Sequence, residues 1–191
     1  MIAKLHEVGG HNQVNSPFVR SVYFLDRSDV IAVLDPFRYA IPGAERSYIP
    51  FGGIRIKTGA VVDKMKFPPQ TCIYSQQFKR TDSGVESFCQ IDFPIPASRP
   101  DALDWYTKNA QKQLVCLFED NNGRPYIFGN EERGARPAMS QSIGTTNEYF
   151  ISVSGRFNVP TLMLNPKLGL DLSVLFPETD FSYDFSLDFN A

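Results

Sequence analysis

Histidine is the scarcest of the residues that commonly carry enzyme chemistry. The 191 residues include only two, His6 and His11, and both lie at the start of the chain. A Ser-His-Asp or Cys-His site would therefore need a catalytic base outside the folded core. The sequence also has neither the Gly-x-x-x-x-Gly-Lys motif of phosphate-binding loops nor Gly-x-Gly-x-x-Gly after a strand. These absences predict a non-enzymatic protein and leave an enzyme as the least favoured class.

Cysteine is also sparse, and its spacing argues against a metal site. Cys72, Cys89 and Cys116 each lie in an apolar, strand-like segment, and none has Cys-x-x-Cys or Cys/His spacing. An odd number of cysteines in such positions is typical of buried free thiols in a reducing compartment. A chain of this length buries enough surface to fold without metal or disulfide. We therefore expect three free thiols, no metal site and no cofactor.

Neither sign of charge is in excess, and no long apolar segment is present. Lys and Arg number 19 against 21 Asp and Glu, a formal net charge of −2. Such a balance produces no broad basic field for nucleic acid or an anionic membrane. No stretch approaches the roughly 18 apolar residues of a membrane-spanning helix, and the N-terminus has no apolar core of signal-peptide length. We expect a protein made in solution, with no membrane partner and no sequence-specific nucleic-acid partner.

Chain-breaking residues and phenylalanine, by contrast, are abundant. The chain has 14 Pro, 13 Gly and 16 Phe, which suits short strands joined by many turns. We predict a mainly β fold: a β-sandwich or split barrel of antiparallel hairpins with one packed α-helix and extended N- and C-terminal arms. Its parts are an N-terminal arm at 1–19, a β-rich domain at 20–164 with a helix near 99–111, and a C-terminal linker with an amphipathic strand or arm at 165–191.

Two hairpins are predicted from apolar runs that flank short turns. Residues 21–26 and 30–34 surround a polar turn near the start of the domain. Residues 136–143 and 147–157 surround a Gly-Thr-Thr turn near its end.

A third hairpin is predicted with a specific register. Side chains alternate from Cys72 to Phe78 and again from Val85 onward, which places Phe78 opposite Val85. In this register Cys72 and Cys89 are diagonal neighbours about 7–8 Å apart, which is too far for a disulfide.

The dipeptide Asn122-Gly123 is the strongest turn signal in the chain. Residues 114–118 before it are apolar on both faces and predict a central strand. A two-residue type I′ turn at Asn122-Gly123 would pair Phe118 with Ile127.

A single helix is predicted after residue 98. Ser98 is a candidate N-cap, and Pro100 suits the first turn, where no donor is lost. The predicted packed stripe comprises Ala102, Leu103, Tyr106 and Ala110. Trp105 is expected beside this stripe, at the rim of a sheet.

Residues 36–69 are rich in Pro and Gly, with strand-like character only at 53–57 and 60–62. Because a long irregular segment in a compact domain usually has a function or a partner, we expect this span to make subunit contacts and to order mainly on assembly.

The last eleven residues alternate apolar with polar side chains. One face of the predicted strand carries Phe181, Tyr183, Phe185, Leu187 and Phe189. This face needs a cover, since a soluble monomer rarely exposes so large an apolar patch. The strand either completes the core of its own chain or pairs with the sheet edge of a neighbouring subunit. In the second case Asp184 and Asp188 would face basic residues of the neighbour, and we predict Lys64 and Lys66.

Several segments between residues 67 and 164 resemble structural proteins of tailed bacteriophages. These segments are Phe67-Pro-Pro-Gln-Thr-Cys-Ile-Tyr74, Gly84 leading into Ile91-Asp-Phe-Pro-Ile-Pro96, Leu114-Val-Cys-Leu-Phe-Glu-Asp-Asn-Asn-Gly123 with Gly129, and Ser142-Ile-Gly-Thr-Thr146 followed by Tyr149-Phe-Ile-Ser-Val-Ser-Gly155. They are similar to neck and tail components of phages of gut Bacteroidetes, including the crAss-like group, over about half of the chain. The resemblance implies a β-rich virion subunit made in the host cytoplasm. It also implies that copies repeat in a neck, connector or tail ring and contact neighbouring virion proteins. It transfers no catalytic residues.

A carbohydrate-binding or adhesin-type β-sandwich is the alternative. It would be favoured if several of a set of aromatic residues lined one exposed groove: Tyr39, Tyr48, Trp105 and Tyr126.

Overall fold

The computed structural model describes residues 18–38, 48–50, 52–82, 84–96, 99–144 and 147–164, and the backbone of 184–185. Most of the N-terminal arm and most of the C-terminal segment therefore lie outside the described residues. The strands are β1 Val19–Asp26, β2 Val30–Val33, β3 Tyr48–Ile49, β4 Ile54–Ile56, β5 Val62–Lys66, β6 Ile73–Thr81, β7 Gly84–Pro96, β8 Leu114–Asp120, β9 Pro125–Phe128, β10 Arg136–Ile143, β11 Asn147–Phe157, β12 Leu162–Leu164 and β13 Asp184–Phe185. The helix α1 is Pro100–Asn109.

The strands form three sheets, and the prediction of a mainly β sandwich with one helix is confirmed. A seven-stranded sheet has the order β13-β5-β1-β8-β9-β12-β3, and a four-stranded sheet has the order β10-β11-β7-β6. Strands β2 and β4 form a small antiparallel sheet. All described pairs are antiparallel except β12 with β3 and β13 with β5.

The seven-stranded sheet is covered on both faces. Phe24 and Phe118 on one face belong to the same buried cluster as Phe93 and Ile151 of the four-stranded sheet. On the other face, a second buried cluster joins strands β1, β8 and β9 to the small sheet and comprises Tyr23, Leu25, Val30, Val33, Ile49, Val115, Leu117, Ile127, Leu162 and Leu164. The central strand predicted at 114–118 is confirmed, because burial on both sides requires apolar residues at successive positions.

The first predicted hairpin is wrong. A 3₁₀ turn at Arg27–Asp29 follows β1, and the Asp26 carboxylate accepts hydrogen bonds from the Ser28 amide at 2.9 Å and its hydroxyl at 2.8 Å. The turn redirects the chain, so β2 pairs with β4 in the small sheet.

The predicted β6–β7 register is wrong by two residues. Phe78 lies opposite Ser87, and Arg80 lies opposite Val85, because β6 continues to Thr81 and pairs there with Gly84, the first residue of β7. A shift of two residues leaves each side chain on its expected face. All three cysteines are free and buried, so that prediction is confirmed.

The β8–β9 register is wrong by one residue, with Phe118 opposite Tyr126. The Asp120 carboxylate accepts hydrogen bonds from the amides of Asn122 at 2.9 Å and Arg124 at 2.8 Å, while the Asp120 amide donates to the Arg124 carbonyl at 3.1 Å. These bonds build a three-residue loop with Gly123 at φ +75°. The side chain of Asp120 thus decides the loop length. The hairpin predicted at 136–143 and 147–157 is confirmed.

The helix begins at Pro100, and the preceding Arg99 makes no side-chain capping bond. The predicted cap, Ser98, lies outside the described residues. The predicted stripe is partly wrong: Ala102, Trp105 and Asn109 are the buried side chains, and Leu103 is exposed. Trp105 is a core residue because Asp63 of β5 accepts a hydrogen bond from its indole.

The span 36–69 is more regular than expected, since it contains β3, β4 and β5. Ile49, Met65 and Phe67 of this span are buried in the core. Its ordering on assembly stays a prediction, and residues 39–47 and 51 lie outside the described ones.

Candidate assembly surfaces

The predicted interface lysines lie on β5, next to one edge of the seven-stranded sheet. Lys64 lies opposite Tyr23 of β1, and Lys66 lies opposite Ser21. The Lys64 ammonium is 5.0 Å from the centroid of the Tyr23 ring, within cation–π range. Lys66 is exposed. On the alternate positions, Asp63 and Met65 are buried. Strand β5 therefore holds both lysines on one face while its other face is fixed to the core.

The C-terminal segment, residues 165–191, is called the tail. Its strand β13 pairs with β5 on the side away from β1. Strand β13 is parallel to β5, with Asp184 opposite Lys64 and Phe185 opposite Met65. The register places an acidic residue opposite a basic one within the same chain. Pairing of these residues between subunits stays a prediction. The other predicted interface residues of the tail, Phe181, Tyr183, Leu187 and Phe189, lie outside the described residues.

The chain crosses the whole large sheet between its last two strands. Strand β12 ends at Leu164, near the edge formed by β3, whereas β13 begins at Asp184 on the opposite edge. Five inter-strand steps separate β12 from β13, a distance of about 24 Å at about 4.8 Å per step. A segment as long as 165–183 can span up to roughly 65 Å when extended. Its length thus exceeds the distance to β5 of the same chain.

The four-stranded sheet has two long outer strands, β6 and β10. Sequence reasoning missed both as surfaces, although the signal was present: residues 73–78 and 138–143 have no charge and no proline. Natural edge strands are usually protected by charged residues, prolines, bulges or covering elements.

Exposed apolar side chains lie near both turns of this sheet. Phe78 and Val85 flank the β6–β7 turn and are 62% and 56% exposed, and Ile143 at the β10–β11 turn is 79% exposed. Because β7 and β11 are antiparallel and each turn precedes one of them, the two turns lie at opposite ends of the sheet. One molecule therefore presents an apolar tip at each end.

A chain of polar side chains fixes β6 to the interior. The Gln76 amide donates to the Ser87 hydroxyl at 2.7 Å, and that hydroxyl lies 3.2 Å from the Cys89 thiol. The Thr161 hydroxyl lies 3.4 Å from the same thiol and is hydrogen-bonded to the Tyr74 hydroxyl. Burial raises the pKa of Tyr74, so the phenol stays protonated at neutral pH. These groups satisfy one another, and within the described residues no histidine is near to act as a base.

A second polar cluster lies under the small sheet. The Arg38 guanidinium forms ion pairs with Glu131 at 3.0 Å and Glu132 at 2.6 Å, and Glu131 also accepts from the Val33 amide at 3.0 Å. Nearby, Asp35 is buried, and its Oδ1 accepts from the Phe37 amide at 2.7 Å. Burial raises the pKa of Asp35, and the charge of Glu131 acts in the same direction.

In the part of the chain that the structure describes, no three His, Cys, Asp or Glu side chains are grouped to hold a metal ion. Burial raises the pKa of the Cys72 and Cys116 thiols, so both stay protonated at neutral pH.

The aromatic residues named for glycan binding do not form an open platform in the described region. Trp105 is buried, and the Tyr126 ring stacks on Phe118 at 5.1 Å. Tyr48 is half-buried on β3, and Tyr39 lies outside the described residues.

Comparison with known proteins adds no relative: no family model, no curated protein and no solved structure matches the chain. Among the described residues, no helix has the length and apolar character needed to cross a membrane.

Proposed function

We propose that the chain is a non-enzymatic structural subunit of a tailed-phage virion. Copies of it assemble as a ring in the neck, connector or tail. The chain is made in the host cytoplasm, and its ring contacts neighbouring virion structural proteins. The resemblance of residues 67–164 to phage neck and tail components supplies the virion setting. The position of the tail on β5 is the observation that supports assembly.

The tail provides a strand that two copies can exchange. It pairs with β5 through backbone contacts, and the segment before it is longer than the path across its own sheet requires. A strand added to a sheet edge supplies affinity through main-chain hydrogen bonds and specificity through alternating side chains. In the ring, the tail of each subunit pairs with β5 of the next, and Asp184 lies opposite the neighbour's Lys64.

Head-to-tail exchange suits a ring. Each copy donates one tail and offers one β5 edge, so the donor and acceptor surfaces differ. Heterologous contacts of this kind close into a ring when the rotation per subunit permits. Lys64 and Lys66 on the acceptor and Asp184 and Asp188 on the donor have opposite charges, which favours this pairing over contact between two tails.

Native mass spectrometry of the purified chain and of a variant lacking residues 179–191 tests the proposal. We expect the full chain to form a closed oligomer and the truncated chain to be a folded monomer. Phe185→Lys should weaken assembly, whereas Ser186→Asn, an uncharged polar change on the other side of the alternation, serves as the control. Only monomers of the full chain at high micromolar concentration would refute the proposal. Failure of the truncated chain to fold would identify the tail as a local core strand.

The glycan-binding alternative gains no support from Trp105, which is buried, or from Tyr126, which is half-buried and stacks on Phe118. A glycan-array screen of the monomer would detect such binding.

A further inference from the structure

The outer strands β6 and β10 each pair with a strand on one side only, and α1 contacts β10. The direction of the backbone groups along each strand follows from its pairing. Thr81 and Gly84 close a two-residue turn and form a hydrogen-bonded pair, as is usual in such hairpins. Because hydrogen-bonded pairs alternate along an antiparallel ladder, the backbone groups of Tyr74, Gln76 and Phe78 are directed away from β7.

The corresponding positions on β10 follow from its proline. Pro137 has no N–H, and prolines in edge strands direct the nitrogen to the open side. Residues 137, 139, 141 and 143 then have their backbone groups directed away from β11.

Strand β6 of one copy and β10 of a second copy in the same orientation run in opposite directions. The four strands alternate in direction, so β6 and β10 run opposite to one another. If a second copy is placed beside the first in the same orientation, its β10 is antiparallel to β6 of the first. Head-to-tail repetition therefore continues the antiparallel order of the sheet.

One register between β6 and β10 meets two requirements. The outward-directed backbone groups of the two strands face each other, and the inner-face side chains of both strands lie on the same face of the joined sheet. It places Tyr74 opposite Ile143, Gln76 opposite Gln141 and Phe78 opposite Met139, all at positions directed to the open edge. These side chains lie on the inner face of both strands, so the sheet continues without a change of face. Phe78 and Ile143, which are largely exposed in one copy, become covered.

Charge does not select this register. Arg136 of one copy would lie opposite Thr81 of the other, and Lys79 would lie opposite Ala138. Lys79 and Arg136 would then be diagonal neighbours on the outer face, so the register is determined by the backbone and the apolar side chains.

We infer that β6 of one subunit pairs with β10 of a second copy, which joins their four-stranded sheets into one continuous sheet around the ring. The inference rests on the proposed function and specifies a second contact, separate from the tail and β5.

Cysteine cross-linking tests the pairing. Gln77 and Ser140 are exposed on the outer face and would be directly opposed between copies. Non-hydrogen-bonded antiparallel pairs have Cα atoms about 4.5 Å apart, which a disulfide can bridge. Within one chain the two positions are on opposite edges of the sheet, at least three strand spacings or about 14 Å apart. The native cysteines are buried and should not compete.

We expect the double variant Gln77→Cys/Ser140→Cys to give a ladder of covalent multimers on non-reducing gels under mild oxidation. Each single variant should remain uncrosslinked, and a mixture of the two single variants should give dimers. Gln77→Cys with Ser142→Cys, two residues away on the same face, is the register control and should cross-link at least several-fold less.

Three results would overturn the inference, and they separate it from the proposed function. Multimers by native mass without specific cross-links would reject the β6–β10 contact but retain the ring. Dimers from Gln77→Cys alone would show two β6 strands paired about a twofold axis. Monomers by native mass, again without cross-links, would reject both the contact and the ring.

Discussion

The indole Nε1 of Trp105 donates a hydrogen bond of 3.0 Å to Oδ2 of Asp63. The Asn109 side-chain amide donates to the same oxygen at 3.2 Å, and all three residues are buried. One carboxylate on β5 therefore accepts from two successive turns of α1 and fixes the helix to the edge of the large sheet.

Asp63→Ala should lower the free energy of unfolding by about 2–4 kcal/mol, because it leaves two buried donors without their acceptor. Urea denaturation followed by Trp105 fluorescence measures the change. Asp104→Ala, an exposed position on the same helix, is the matched control and should change stability by less than about 0.5 kcal/mol. Equal losses in the two variants would show that the Asp63 bonds contribute little.

The contact between Trp105 and Asp63 also shows which features of the fold can be predicted from the sequence and which cannot. The strands β10 and β11 follow directly from their alternation, and their predicted bounds are correct. The position of Trp105 depends on an acceptor 42 residues earlier in the chain, so helical periodicity alone placed it at a rim. The pattern of α1 favoured Leu103, which is exposed, because periodicity identifies a stripe without identifying its partner.

The registers failed for a local reason. Asp120 binds two amides across its loop, and this Asx-type turn adds one residue to the two-residue turn that Asn122-Gly123 predicts. For β6 and β7, the polar residues before Gly84 predict a loop, but Lys79, Arg80 and Thr81 are paired with β7 and extend the two-stranded ribbon. Polar composition does not separate a turn from an exposed ribbon, since both are solvated. For the same reason, the sequence does not identify β6 and β10 as the outer strands of their sheet.

Asp35→Asn should raise the free energy of unfolding at pH 7 by about 1 kcal/mol, because it removes a negative charge that burial makes unfavourable. Burial raises the pKa of Asp35 above its ordinary value of 3.8. Between the two pKa values the unfolded chain binds fewer protons than the folded one, so stability falls as pH rises through this window. The advantage of Asn should therefore shrink as pH falls from the folded-state pKa of Asp35 toward about 4, and should be absent below that pH. Urea titrations from pH 3 to 8 measure the difference.

Asp26→Asn is the matched control with the opposite sign. Burial acts to raise the pKa of Asp26, but the Ser28 amide and hydroxyl and the Lys112 ammonium outweigh it and lower the pKa. Its stabilising contribution is present above the unfolded pKa and is lost as pH falls through the folded value. The variant should lose about 1 kcal/mol at pH 7 and little in acid. The same sign for both variants would contradict these assignments.

Gly123→Ala should destabilise the domain by about 1–2 kcal/mol, because an alanine at φ +75° is in the left-handed region. An added Cβ would be 3.7 Å from the nearest Glu119 oxygen, so the cost is conformational and not steric. Gly144→Ala is the control, since it has open space and no positive φ. Thermal unfolding of the two variants gives the comparison. A Tm of Gly123→Ala equal to that of the unmodified chain would mean that the loop relaxes to accommodate the alanine.

Phe78→Lys should weaken assembly at least tenfold and leave the fold intact. The side chain is 62% exposed in one copy, so its loss removes little core packing. A lysine on the inner face of an edge strand opposes strand addition by a neighbour. Ile31→Lys, 56% exposed on β2, is the control for a charge at an apolar surface position. Sedimentation velocity over a concentration series measures association, and unchanged assembly of Phe78→Lys would exclude β6 from the interface.

The double variant Lys64→Cys/Asp184→Cys decides whether the tail is exchanged. Residues 64 and 184 are opposed in a parallel pair, with strands about 4.8 Å apart, a distance compatible with a disulfide. If the tail is donated to a neighbour, oxidation should give covalent multimers, and a mixture of the two single variants should give heterodimers. A strand paired within its own chain would instead give a cross-linked monomer whose yield does not depend on concentration. Lys66→Cys with Asp184→Cys is two residues out of register and should react less.

Because the exchanged strand carries Asp184 to a lysine of the next subunit, we also expect assembly of the unmodified chain to weaken as salt concentration rises. Salt-independent assembly with only intrachain cross-links would place the tail in its own sheet and leave β6 and β10 as the ring contact to be tested.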